Sequence, residues 1–169
     1  KKTIPASQLF SSFMEERKNT GRIYLQNVDN ANDHGSFLPD LAPIRQSNLC
    51  AEITLPTKPL NDINDPEGEI SLCTLSAINW GNIKNLEDFE KACRLAVRGL
   101  DALLDYQNYP VLAAQLSTEK RRPLGVGIIN FAYWMAKNDL SYQDITKEGL
   151  ELVDEWAEAW SYYLIKASA

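Results

Sequence analysis

Ser47-Asn48-Leu49-Cys50-Ala51-Glu52-Ile53 is the stretch on which the reading of this chain turns. As extended chain entered through Arg45 and Gln46, its side chains alternate between two faces. Asn48, Cys50 and Glu52 then share one face. Leu49, Ala51 and Ile53 share the other and are expected to be anchored in a core. Steps of roughly 3.3 Å separate neighbours on one face by about 7 Å. An amide can hold a hydroxyl by donating and accepting hydrogen bonds. A carboxylate can serve as general base to a second hydroxyl. A thiol between them can attack as thiolate, ligate a metal, or shed a hydrogen atom to become a radical. The plainer alternative is a small, buried, inert cysteine, which is a common state. Spacing by itself leaves both open.

The flanking chain alternates helix-like and strand-like segments. Residues 7–18 place Leu9, Phe10, Phe13 and Met14 at helical spacing, and Thr20-Gly21 ends that helix. Residues 22–28 read as a strand centred on Ile23-Tyr24-Leu25, and residues 27–43 as a loop rich in Asn, Asp, Gly and Pro. Residues 47–55 are expected to be extended until Pro56 and Pro59 break the run. Residues 61–68 form a polar turn, and 69–78 a second apolar, extended run. The clearest helix covers 86–106, with Phe89, Cys93, Ala96, Val97, Leu100, Leu103 and Leu104 on one side and Asn85 or the acidic first turn as cap. Residues 107–123 read as a connection, basic at Lys120-Arg121-Arg122, which is expected to be a solvated turn. Residues 124–129 are apolar and contain Gly125 and Gly127, whose expected reason is close backbone packing. A helix through Phe131, Trp134 and Met135 follows, then a long helix over 146–167. The fold class is α/β, with too few strands for a convincing closed sheet.

Composition narrows the function classes. The chain has 169 residues, 44% hydrophobic and 24% charged, which is ordinary globular composition with enough length for a core. A net charge of -6 argues against a basic grip on nucleic acid, though one phosphorylated small molecule needs only a local cluster of donors. No apolar run reaches the roughly 18–20 residues that span a bilayer, and Lys1-Lys2-Thr3-Ile4-Pro5 leads into no apolar signal core. The three cysteines, Cys50, Cys73 and Cys93, fit a reducing cytoplasm better than a disulfide scaffold. The first residue is not Met and both ends fall in helix-like patterns, so an internal piece of a longer polypeptide is expected.

The motifs taken together resemble one family. Ser47-Asn48-Leu49-Cys50-Ala51-Glu52-Ile53 is similar to the finger-loop signature S-N-L-C-x-E-I of the catalytic large (alpha) subunits of class I-type ribonucleotide reductases. Gly21-Arg22-Ile23-Tyr24-Leu25-Gln26-Asn27-Val28-Asp29 looks like the strand before that loop, and Leu55-Pro56-Thr57-Lys58-Pro59-Leu60-Asn61-Asp62 like its continuation. Glu69-Ile70-Ser71-Leu72-Cys73-Thr74-Leu75-Ser76-Ala77 resembles the segment bearing one member of the redox cysteine pair. Arg121-Arg122-Pro123-Leu124-Gly125-Val126-Gly127-Ile128-Ile129-Asn130-Phe131-Ala132 resembles the run R-R-x-L-G-x-G-x-x-x-F/L-A. The likeness covers nearly the whole chain, in order.

The resemblance implies part of a ten-stranded α/β barrel with a central finger loop at about 44–56 and helices packed outside, residues 1–169 forming a partial catalytic barrel domain. It implies thiyl-radical reduction of ribonucleotides to deoxyribonucleotides, the precursors of DNA. Cys50 would carry the radical that takes the ribose 3'-hydrogen. Glu52 would accept the 3'-hydroxyl proton, Asn48 would hold the ribose hydroxyls and Ser47 would line the substrate. Cys73 would be half of a dithiol that closes each turnover, its partner lying before residue 1. The segment itself would bind no metal or cofactor. A separate metal-containing small subunit would supply the radical, and thioredoxin or glutaredoxin the electrons. The ATP-binding and other effector-binding parts would lie upstream, and the tyrosine pair and C-terminal cysteine tail downstream. The expected partners are a ribonucleoside diphosphate, the remainder of the large subunit in a homodimer and the small subunit, with no nucleic acid and no membrane.

Other residues favour plainer roles. Cys93 is expected in the core, His34 in a surface loop, and Trp156, Trp160 and Tyr163 as packing at helical spacing. Tyr162-Tyr163, in a long helix, is read as packing rather than as the family's tyrosine pair. A zinc site from the cysteines and His34 lacks any close C-x-x-C pair. The competing functions are a non-catalytic or split-gene fragment that needs complementary pieces, a cobalamin-dependent class II reductase, and a glycyl-radical anaerobic reductase. A second thiol at Cys73 and a carboxylate at Glu52 favour the dithiol-reducing type.

Overall fold

The structure, a computed structural model, describes residues 3–169. Lys1 and Lys2, part of the start read above as leading into no signal core, lie outside the described residues. The chain divides into two units, Lys1–Pro59 and Leu60–Ala169.

In the first unit, helix α1 (Ala6–Thr20) stops at Gly21, whose φ of 67° is a left-handed cap with its N–H donated to the Arg17 carbonyl. None of its residues is buried. The strand expected over 22–28 does not form: residues 22–27 have no ladder partner among the described residues, and helix α2 (Val28–Asp33) occupies part of the expected loop. A β-prone run becomes a strand only where a neighbour accepts its N–H and C=O groups. Asn32 organises this unit. Its side chain donates to the carbonyls of Val28 and Ile44 and accepts from the Ile44 N–H, all at 2.8 Å, and Ile44 is buried.

The second unit is a β-α-β arrangement with two further helices. Strand β1 (Thr74–Asn79) pairs in parallel with β2 (Leu124–Ile129), Thr74 opposite Leu124 and Asn79 opposite Ile129. Parallel strands cannot be joined by a tight turn. The crossover contains a short 3₁₀ turn (Trp80–Asn82), α3 (Asp88–Tyr106) and α4 (Leu112–Arg121). Helices α5 (Phe131–Lys137) and α6 (Lys147–Ser168) follow β2. Of the implied barrel, the described residues contain this α/β core with a two-stranded sheet.

Helix α3 buries Phe89, Cys93, Val97, Leu100 and Leu104, a stripe at steps of three and four residues. Leu103, expected on that stripe, is instead half exposed. Asn85 accepts from the Asp88 N–H at 3.0 Å, and the Asp88 carboxylate accepts from the Lys84 N–H, so the expected cap forms. Against α3 lies an aromatic cluster. The Trp80 ring centroid stands 5.3 Å from Trp134, 5.6 Å from Phe89 and 5.8 Å from Trp156. Trp156, Trp160 and Tyr163 of α6 pack on this core as expected, whereas Tyr162 faces solvent. Thr146 caps α6 by accepting from the Gly149 N–H.

Two expectations for 107–123 are corrected. The segment contains α4, whose buried face is Ala113, Ala114, Ser117 and Thr118. Small and hydroxylated residues carry little apolar signal, so the periodicity is faint in sequence while close packing favours the helix. Lys120-Arg121-Arg122 is not a solvated turn. Arg121 donates to both oxygens of buried Glu69 at 3.1 Å. Arg122 adopts φ 45° and donates to Asp101 at 2.6 Å and Asp105 at 2.9 Å. The left-handed conformation costs about 1–2 kcal/mol in a residue with a side chain, and the forked guanidinium contacts hold it. Arg122 in turn keeps the Asp105 carboxyl below its ordinary range.

Replacing Phe89 by Ala should therefore destabilise this unit by about 3–5 kcal/mol. Urea titration followed by tryptophan fluorescence reads this directly, because Trp80, Trp134, Trp156 and Trp160 all belong to or pack on the cluster. An unmoved midpoint would mean that α3 is not held through this ring.

Candidate functional site

The segment around Cys50 is a turn, which corrects the extended reading. The Asn48 carbonyl accepts from the Ala51 N–H at 3.0 Å, placing Leu49 and Cys50 at the corner. Ala51 carries a φ of 62°, left-handed backbone that a residue with a Cβ adopts only when its surroundings hold it there. The surroundings are the side chains on either side. Asn48 Nδ2 donates to Glu52 Oε1 at 2.7 Å, and Asn48 Oδ1 accepts from the Ile53 N–H at 3.1 Å. Ser47 Oγ lies 2.7 Å from the Ile53 carbonyl and 3.3 Å from Asn48 Oδ1. A hydroxyl has one proton, so the shorter contact is its hydrogen bond.

This geometry changes the site in two ways. On a flat strand Asn48 and Glu52 would stand about 13 Å apart; across the turn they are in direct hydrogen bond. The expected apolar anchor fails, because Leu49 is 86% exposed and Ala51 is exposed, leaving only Ile53 half-buried. Cys50 is exposed too, so the plainer reading of a buried cysteine does not hold within this unit. The result is a thiol at the tip of a loop whose neck is closed by an amide, a carboxylate and a hydroxyl. That set can bind vicinal hydroxyls, remove a proton from one of them and present sulfur to the same molecule.

Cys73 belongs to the second unit and directly precedes β1. It is exposed, and period-two alternation puts it on the same side of the strand as exposed Leu75 and Ala77, opposite buried Ile78. Gly125 lies opposite Leu75 in the register, and a Cβ there would come within 2.5 Å of Leu75 Cδ2. The close neighbour is thus the end of a side chain, and the nearest backbone atom, the Thr74 carbonyl oxygen, would lie at 3.9 Å, so the expected close backbone packing is not what this glycine meets. At Gly127 a Cβ would meet only ordinary contacts.

The remaining candidates take plain roles. Cys93 is fully buried, its Sγ lies 3.7 Å from the Trp160 carbonyl, and burial pushes its thiol up to about 11. His34 is exposed at the end of α2. Among the described residues no group of three or more His, Cys, Asp or Glu could hold a metal ion, and no helix is long and apolar enough to cross a membrane. Sequence reasoning missed the Glu69–Arg121 pair and the αL residue Ala51. The first had no spacing signal, because Glu69 and Arg121 stand 52 residues apart; Asp101 and Asp105, one helical turn apart, are the acceptors of Arg122. The second had none.

A family model described as the ribonucleotide reductase barrel domain matches residues 1–169. The chain belongs to the ribonucleotide reductase family. It is 60% identical over 168 residues to the ribonucleoside-diphosphate reductase subunit alpha of Buchnera aphidicola subsp. Acyrthosiphon pisum, covering 99% of this chain and 22% of that protein. The Haemophilus influenzae subunit alpha is 57% identical, and ribonucleoside-diphosphate reductase 1 subunit alpha of Escherichia coli 56%, with the same coverage on both sides. The chain thus spans about a fifth of the length of these relatives.

Burial separates the three thiols chemically. Brief alkylation of the folded chain near pH 8 should label Cys50 and Cys73 and spare Cys93 until urea is added, as read by peptide mass spectrometry. Equal labelling of all three would contradict the core placement of Cys93.

Proposed function

We propose that this chain is the radical-bearing part of the catalytic barrel in a ribonucleoside-diphosphate reductase large subunit, with residues 44–56 as the finger loop inside a ten-stranded α/β barrel completed by chain beyond this segment. The observation that carries the reading is the 2.7 Å hydrogen bond between Asn48 and Glu52, which closes the turn bearing Cys50. The relatives, ribonucleoside-diphosphate reductase alpha subunits, support a diphosphate substrate and a multisubunit enzyme.

The roles follow from the chemistry of each group. A separate metal-containing small subunit delivers the oxidising equivalent that converts the Cys50 thiol to a thiyl radical. That radical takes the ribose 3'-hydrogen atom and becomes a thiol again. Glu52 accepts the 3'-hydroxyl proton, Asn48 holds the hydroxyls and Ser47 braces the loop beside them. The 2'-hydroxyl then leaves as water after protonation. Cys73 and a second cysteine outside this segment supply two electrons and two protons as their dithiol closes to a disulfide. The 3'-hydrogen returns from Cys50, which regenerates the radical. Thioredoxin or glutaredoxin reopens the disulfide. The exposed tip of the loop is covered by the rest of the barrel, because a thiyl radical must be kept from water and stray donors. The working enzyme is a homodimer of large subunits in the reducing cytoplasm, and its nucleotide effectors bind outside this segment.

The complete large subunit with its small subunit tests the assignment. Cys50→Ser should reduce deoxyribonucleotide formation to background. Glu52→Gln should lower kcat by about 10²–10⁴-fold while diphosphate binding stays within a few-fold. Product formation by Cys50→Ser at the normal rate would end this reading.

A further inference from the structure

The second unit holds a buried ion pair that no step above uses. Glu69 is 7% exposed, and Arg121 Nη2 lies 3.1 Å from each of its oxygens, with Lys120 Nζ at 3.7 Å from one. Glu69 stands four residues before Cys73, and Arg121 stands three before Leu124. Leu124 is the register partner of Thr74, the residue after Cys73. The ion pair and the first rung of the sheet therefore bracket Cys73 from both sides.

The bracket is itself fastened. The Ile70 N–H donates to the Ala113 carbonyl in the first turn of α4, so that helix holds the approach to Cys73 near both of its ends. Arg122 ties the C-terminus of α4 to α3 through Asp101 and Asp105. Residues 70–73 have no place in the β1–β2 ladder, and Cys73 is exposed. The clamp and the first rung of the ladder thus fix the chain on either side of Cys73. A disulfide forms only when two Cα atoms come within about 4.4–6.8 Å with the sulfurs correctly turned. A buried ion pair is seldom the most stabilising choice for its volume, since two charges must be desolvated, but it fixes which groups meet.

We propose that Glu69 and Arg121 are positioning residues for the redox reaction of Cys73, setting its thiol where it can close a disulfide. This rests on the role given to Cys73 in the preceding subsection. The step they serve is Cys73–SH plus a second cysteine thiol giving a disulfide, with two electrons and two protons passing to the substrate.

The test uses the complete large subunit with its small subunit. Glu69→Gln is compared with the parent, and Arg121→Lys, which keeps the charge but loses the fork, covers failure of the first to fold. In a single turnover without external reductant, differential alkylation reads the fraction of Cys73 oxidised. Equilibration in dithiothreitol buffers reads the ratio of reduced to oxidised dithiothreitol at half-oxidation. Both variants should slow disulfide formation at least tenfold and shift that ratio at least tenfold, about 30 mV for two electrons. KM for the diphosphate should stay within twofold. A lowered kcat with an unmoved half-oxidation ratio would make the pair merely structural and overturn the proposal, as would two variants that behave like the parent. Cys73→Ser separates the two levels. Full turnover in that variant would remove Cys73 from the reaction altogether, whereas its loss alongside a silent Glu69→Gln would refute only the positioning role.

Discussion

The parallel pairing of β1 with β2 is the constraint on which the second unit depends. Two strands running the same way must be joined by a chain that travels back along the sheet. Here α3 and α4 make that journey, and α3 gains its place by burying a stripe from Phe89 to Leu104. The tryptophan cluster closes over the same helix, and α6 packs on that cluster through Trp156 and Trp160. Once α3 is fixed, its Asp101 and Asp105 fix the end of α4, and Arg121 is delivered to Glu69. The order of these contacts explains why a short sheet can hold Cys73 at a defined place. Cys73 lies just outside the ladder, where its thiol is accessible, yet its backbone neighbours on both sides are tied down.

The Cys50 turn works by a different economy. It has little apolar anchoring of its own, and its form is set by three polar side chains that satisfy one another and the backbone. Such a loop is shaped before substrate arrives. The same Asn48 amide that closes the neck is the group assigned to the ribose, and its acceptor, Glu52, is the assigned base. Binding of a ribose would exchange one of these internal hydrogen bonds for bonds to hydroxyls, a replacement that leaves the count of satisfied groups nearly unchanged.

Much of this was legible in the residue order. The apolar stripe of α3, its Asn85 cap, the Gly21 stop, the β2 run and the long α6 were all expected and all form. Spacing marked an amide, a thiol and a carboxylate at every second position, the family resemblance singled them out as a site, and the structure joins Asn48 and Glu52 by a hydrogen bond across the turn that holds Cys50. The misses have physical causes. The run 22–28 has the composition of a strand but no neighbour to pair with among the described residues. Helix α4 hides its buried face in alanine, serine and threonine. The basic run at 120–122 looked solvated because its acceptors lie up to 52 residues away in sequence.

What the sequence by itself determined is the inventory and the local periodicities: which residues form a helical stripe, where chain must stop or turn, and which chemistry stands at 47–53. These depend on spacing along the chain, which sequence states directly. Only the tertiary structure decided that 47–53 folds into a turn instead of a flat strand, and that Glu69 meets Arg121. The second rests on a hydrogen bond between groups 52 residues apart, whose approach depends on how the intervening chain packs; the first rests on bonds among Ser47, Asn48, Glu52 and Ile53 that a period-two reading of the residues does not contain.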